Sequence, residues 1–115
     1  MIIQMGQGTN DKISVRGNKL ICAGFVYHMG NATRRVTEKS FNLENWRGKI
    51  FRLWIGQDGK LSTVSRTRQF ALLAEVSVPP RSYREVRKDD EGNPVLEVEP
   101  LEPEELQVKV WPLPG

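Results

Sequence analysis

The chain of 115 residues is long enough for one hydrophobic core and too short for two independent ones. Apolar residues make up 38% and charged residues 27%, the balance of a globular chain, and no apolar run approaches the roughly 20 residues that a membrane helix needs. The net charge of +3 conceals a split, because residues 1–88 carry +10 and residues 89–115 carry −7, which points to a basic interaction surface and an acidic arm.

The opening stretch MIIQMGQGTN has no basic residue ahead of its few apolar ones, so it lacks the layout of a secretory leader. A single cysteine, Cys22, excludes an intrachain disulfide, and the expectation is cytoplasmic synthesis with Cys22 as a buried, inert thiol in LICAGFVY. KISVR and KLICAGFVYHM flank Gly17-Asn18, a pair suited to a two-residue turn, and together predict a hairpin. Gly30-Asn31 marks the next turn, after which RRVTEKSF is polar at most positions and reads as one strand, at an edge or half-exposed. In FNLENWRGK, Asn42 caps a single helical turn through Trp46 and Gly48 ends it.

KIFRLWI places Phe51, Leu53 and Ile55 on one face and Ile50, Arg52 and Trp54 on the other, the period of a strand. Asp58-Gly59 forms the turn that returns through KLSTVS. QFALLAEVSV predicts a strand with Phe70, Leu72, Ala74, Val76 and Val78 inward, stopped by Pro79-Pro80. The text then becomes PPRSYREVRKDDEGNP, read as a linker, so the expected division is a basic β-domain over 1–88 and an acidic arm over 89–115. Within that arm, PVLEVEPL and ELQVKVWPL alternate apolar with polar residues and can form strands, but only against a partner surface. The fold class expected is all-β, an antiparallel, jelly-roll-like sandwich of about six to eight strands with an extended C-terminal arm.

The phrase SFNLENWRGKIFRLWI, with Phe41, Leu43, Gly48, Lys49 and the strand Ile50 to Ile55, resembles a corner found in small bacterial and phage jelly-roll or sandwich domains, carbohydrate-binding modules among them. DGKLSTVSRTRQFALLAEVSVPP looks like accessory domains of prophage virion proteins. The resemblance implies a non-catalytic assembly or attachment role, in a virion-associated setting.

The residues themselves favour the same class. His28 is the only histidine and has no evident acid–base partner; with Cys22 it makes two ligands at most, short of a structural metal site. No catalytic residue, metal ligand or cofactor is therefore expected. The candidate binding residues are Trp46, Arg47, Arg52, Trp54, Arg66, Arg68, Tyr83 and Arg84, basic side chains interleaved with aromatics as in single-strand nucleic-acid binders. The favoured expectation is assembly through the arm, on its own or another particle protein, with Val95, Val98, Leu101, Val108, Val110 and Trp111 supplying apolar contact and the glutamates register. A nucleic-acid-binding barrel regulated by its tail is the alternative, and a carbohydrate-binding module a second one; no membrane partner is expected.

Overall fold

Gly17, at φ +60°, turns strand β2 (Ile13–Arg16) into β3 (Lys19–Cys22), with Arg16 paired to Lys19. Such a left-handed conformation suits a residue without Cβ. The computed structural model describes residues 2–64 and 71–114 and shows that the chain does not run on as one strand beyond Cys22. A Cβ on Gly24 would lie 3.1 Å from the Val36 carbonyl oxygen, so two backbone segments cross closely there. Both predicted long strands break at that crossing. β4 (Phe25–Met29) and β5 (Ala32–Val36) form their own hairpin, and β6 (Lys39–Asn42) returns to pair with β3.

The corner after β6 forms as its residues dictate. Asn42 Oδ1 accepts the Glu44 N–H at 2.9 Å, a 3₁₀ turn runs over Leu43–Trp46, and Gly48 leaves it at φ +73°. β7 (Ile50–Ile55) follows with Phe51, Leu53 and Ile55 buried, and a turn at Gly59 leads to the short β8 (Leu61–Ser62). β9 (Ala71–Ser77) pairs antiparallel with β7. Leu53 faces Ala74 but Trp54 faces Leu72, so Leu73 is an extra residue, a β-bulge. This corrects the predicted alternation: Leu73 is fully buried beside Tyr27, Val36 and Ile55, while Leu72 is only partly covered. The prediction for Phe70 lies outside the described residues.

The C-terminal region departs most from expectation. β10 (Tyr83–Lys88) and β11 (Pro94–Val98) form an antiparallel hairpin, and the expected boundary at residue 88 falls on its turn. Beyond a 3₁₀ turn at Pro103–Glu105, β12 (Gln107–Val110) enters the main sheet between β9 and β1 (Ile2–Gln4). The order of that sheet is β1-β12-β9-β7-β8, with β1 parallel to β12, an exception to the antiparallel expectation. The residues proposed for an external arm thus divide. Leu101, Val108 and Val110 belong to the core of this same chain, where they pack with Phe51, Leu53, Ala74 and Val76 of the large sheet and Ile13, Leu20 and Cys22 of the β2-β3-β6 sheet. The fold is all-β: the large sheet shares one core cluster with the β2-β3-β6 sheet and a second, of Ile55 and Leu73 with Tyr27 and Val36, with the β4–β5 hairpin, and the described strands are more numerous and shorter than expected.

One amide ties the ends together. Asn10, buried, donates through Nδ2 to the Trp111 carbonyl at 3.0 Å and the Leu73 carbonyl at 3.4 Å, and its Oδ1 accepts the Lys12 N–H at 3.0 Å. The bulge carbonyl of Leu73 also accepts the Trp111 N–H at 2.9 Å. With a radius of gyration of 17.9 Å, against about 13 Å for a compact domain of this length, and extents of 69 × 24 × 22 Å, the molecule is long. Two hairpins, β4–β5 and β10–β11, form two-stranded sheets of their own.

Candidate interaction surface

Every residue of β10 is exposed, and in β11 only Val95 is partly covered. A strand pair that packed on the body would show alternate burial; this one stands clear of it. Its own pattern is nonetheless two-faced. Tyr83 pairs with Val98 and Glu85 with Leu96, which puts Tyr83, Leu96 and Val98 on one side, with Glu85 among them. Arg84 pairs with Glu97 and Arg87 with Val95, which defines the other. A bulge makes this possible, since Glu85 and Val86 together oppose Leu96 and so return Arg87 to the face of Arg84. The apolar members are open to solvent: Tyr83 is 57% exposed, Leu96 56%, Val98 42% and Val86 41%.

The hairpin is held at its base by a residue that sequence reading assigned to a ligand. Arg47 has a side chain 4% exposed; its Nε donates to the Pro79 carbonyl at 3.0 Å, and its terminal nitrogens to the Pro80 carbonyl at 3.0 Å and the Glu99 carbonyl at 3.5 Å. Glu44 pairs with it at 3.4 Å. Those carbonyls flank the hairpin on both sides, so Arg47 fixes where it leaves the body. The rigid, five-donor fork of a guanidinium suits three converging carbonyls. Ser82 O accepts the Glu99 N–H at 2.8 Å and extends the ladder to the clamp.

Comparison with protein families, with curated proteins and with solved structures gives no match for this chain. Its site is therefore read from its own geometry.

The other predicted binding residues do not converge. Trp46 packs edge-on against Phe51 at 5.0 Å between ring centres and forms part of the core boundary. Arg52 is engaged with its cross-strand neighbour Glu75, Nε to Oε2 at 2.9 Å. Trp54 is half-buried on β7, paired with Ser62 and Leu72. Arg66 and Arg68 lie outside the described residues. Among the described members of the set, Tyr83 and Arg84 alone stand free, on opposite faces of β10. Of the arm residues, Val98 is exposed, Val95 partly so, and Trp111 is half-buried where its backbone meets Leu73 and Asn10.

Two open clefts are present, the second at the Arg47 clamp. One, of about 460 Å³, is lined by Arg35, Thr37, Lys39, Asp58 and Lys60; the other, of about 380 Å³, by Glu44, Asn45, Arg47, Lys49 and Arg81. Among the described residues no group of three His, Cys, Asp or Glu side chains gathers that could hold a metal ion. His28 is exposed on β4, where Thr33 Oγ1 lies 3.3 Å from its Nδ1, while Cys22 is fully buried on β3. Burial pushes the Cys22 thiol up to about 11, the opposite of an activated nucleophile. Tyr27, buried, donates its hydroxyl to the Gly56 carbonyl at 2.9 Å, and burial raises its pKa despite the opposing charge of Arg34.

Proposed function

We propose that this chain is a non-enzymatic assembly module that associates with further copies of itself through the β10–β11 hairpin. The observation that carries the reading is the hairpin's exposed apolar side chains, Tyr83, Leu96 and Val98 on the face that also carries Glu85, with Val86 at the bulge, each about half open to solvent. An isolated two-stranded hairpin is marginal in water. Contiguous exposed apolar side chains on a projecting element mark an interaction site.

The energetic gain available is appreciable. Full burial of such a side chain stabilises by about 1.5–3 kcal/mol, and roughly half of that remains to be gained at these exposures, so the four residues offer about 4 kcal/mol per copy. Trp46, Arg47 and Arg52 are committed to contacts within the chain, which favours a protein partner over nucleic acid. The resemblance of the β6–β7 corner to phage and prophage accessory domains supports a repeating particle as the setting.

Light scattering on the full chain tests the proposal. Wild type is expected to be oligomeric, and a Tyr83→Asp, Leu96→Asp variant monomeric with an unchanged circular dichroism spectrum. A wild-type monomer over the accessible concentration range, or an oligomer indifferent to both substitutions, refutes it.

A further inference from the structure

The two strands of the hairpin differ in charge. Residues 79–88 hold Arg81, Arg84, Arg87 and Lys88 against Glu85, whereas residues 89–99 hold Asp89, Asp90, Glu91, Glu97 and Glu99 and no basic residue. The sign change along the sequence thus coincides with the hairpin turn, where Asp89 Oδ1 accepts the N–H groups of Glu91 and Asn93. Among the described residues each strand also has one edge without a paired strand, since the sheet contains only β10 and β11. Among the described residues, Arg84, Arg87 and Glu97 take part in no ion pair.

Resting on self-association through the hairpin, we propose that the contact is head to tail: the basic β10 edge of one copy pairs antiparallel with the acidic β11 edge of the next, and the series closes into a ring of three or more. A two-fold contact between edges would set β10 against β10 or β11 against β11, like charge against like. Head-to-tail addition sets opposite charges together at every junction, continuing around the ring the Arg84–Glu97 neighbours already present within each hairpin. Heterologous contacts of this kind close into rings where the rotation between neighbours closes. Closure removes both free edges and curls the hairpins into a small barrel whose interior takes Tyr83, Leu96 and Val98, with Glu85 beside Leu96 and Lys88 at the turn end as opposite charges on that face, while Arg84, Arg87 and Glu97 remain on the wet outer face.

Native mass spectrometry of the full chain distinguishes this from other modes. The variants are Arg84→Glu with Arg87→Glu, Glu97→Lys with Glu99→Lys, and a control, Arg35→Glu with Lys39→Glu, in the larger cleft. Wild type is expected as rings of at least three copies. Either hairpin variant alone is expected to require at least tenfold higher concentration to assemble. Mixing the two is expected to restore assembly as even-membered rings that contain them in equal numbers, whatever the parity of the wild-type ring, because each then offers the edge the other needs. Like charges introduced within a hairpin persist on mixing, so recovery reports pairing between copies. A wild-type dimer that Leu96→Asp dissociates overturns the ring while leaving self-association through the hairpin intact. Rings indifferent to the charge changes, or not restored by mixing, overturn the edge pairing. Loss of assembly in the cleft control overturns it in favour of the acidic turn docking on a neighbour's Arg35 and Lys39. A wild-type monomer removes both the ring and the reading on which it rests.

Discussion

Replacing Asn10 by alanine removes the side chain that joins the N-terminal segment, the bulge in β9 and the residue after β12. Three hydrogen bonds disappear, two of about 3.0 Å and one of 3.4 Å. A neutral hydrogen bond contributes about 1 kcal/mol net, and the longest of the three less. The Leu73 carbonyl keeps the Trp111 N–H as a partner, but the Trp111 carbonyl and the Lys12 N–H lose theirs. The expected loss is therefore about 2–3 kcal/mol, which for a chain of this size lowers the melting temperature by about 10 °C. Asn10→Asp is expected to be worse at neutral pH, since it keeps the acceptor for Lys12 but directs a carboxylate at two carbonyl oxygens. Urea unfolding followed by tryptophan fluorescence measures both. A loss below about 0.5 kcal/mol for alanine, or an Asp variant as stable as wild type, contradicts the claim that this amide fastens the two ends of the chain.

Three further outcomes follow from the same geometry. Arg47→Met keeps the apolar stem but not the fork, and is expected to cost about 2–3 kcal/mol in urea unfolding while weakening assembly; Arg47→Lys should recover only part of either. A chain ending at Lys88 lacks β12 and its fully buried Val108 and Val110, so a melted proton spectrum is expected rather than a trimmed, folded body. Cys22 should resist a thiol reagent at pH 8 in the folded protein and react on unfolding. Because burial lifts its folded pKa to about 11, above the ordinary 9.0, the unfolded chain loses the proton first. The contribution is intact below pH 9 and lost as pH rises toward 11, on the order of 2–3 kcal/mol, with Tyr27 adding in the same direction. Stability measured across that window should fall less steeply in Cys22→Ala.

Local rules carried the parts of the fold that are locally determined. The turn at Gly17, the Asn42 cap, the exit at Gly48 and the inward set Phe51, Leu53 and Ile55 each depend on a few neighbouring residues, and each formed as read. What escaped depends on pairing across the chain. ELQVKVWPL reads correctly as a strand, but nothing in its alternation says that its partner is Ala74–Ser77 of the same molecule, some thirty residues back. Its acidic surroundings suggested an arm instead. The bulge at Leu73 and the break at Gly24 arise from close packing against other strands, and no local pattern announces them.

The interaction surface was legible in the same uneven way. The charge division at residue 88 was visible, but it was read as a boundary between domains because PPRSYREVRKDDEGNP has a linker's composition. Apolar Tyr83 and Val86 before, and Leu96 and Val98 after, a turn at Gly92 were the signal for a hairpin. Arg47 could not be told from a solvated arginine, since its burial depends on where Pro79, Pro80 and Glu99 return in space.

Amide hydrogen exchange on wild type and on the Tyr83→Asp, Leu96→Asp variant tests the central claim most directly. In the assembled wild type the amides of residues 83–88 and 95–98 are expected to be protected, including those on the free edges; in the variant they should exchange as open strands do, with β7, β9 and β12 unchanged. Protection of the hairpin that is the same in both proteins, or a change confined to the body, contradicts assembly through β10 and β11.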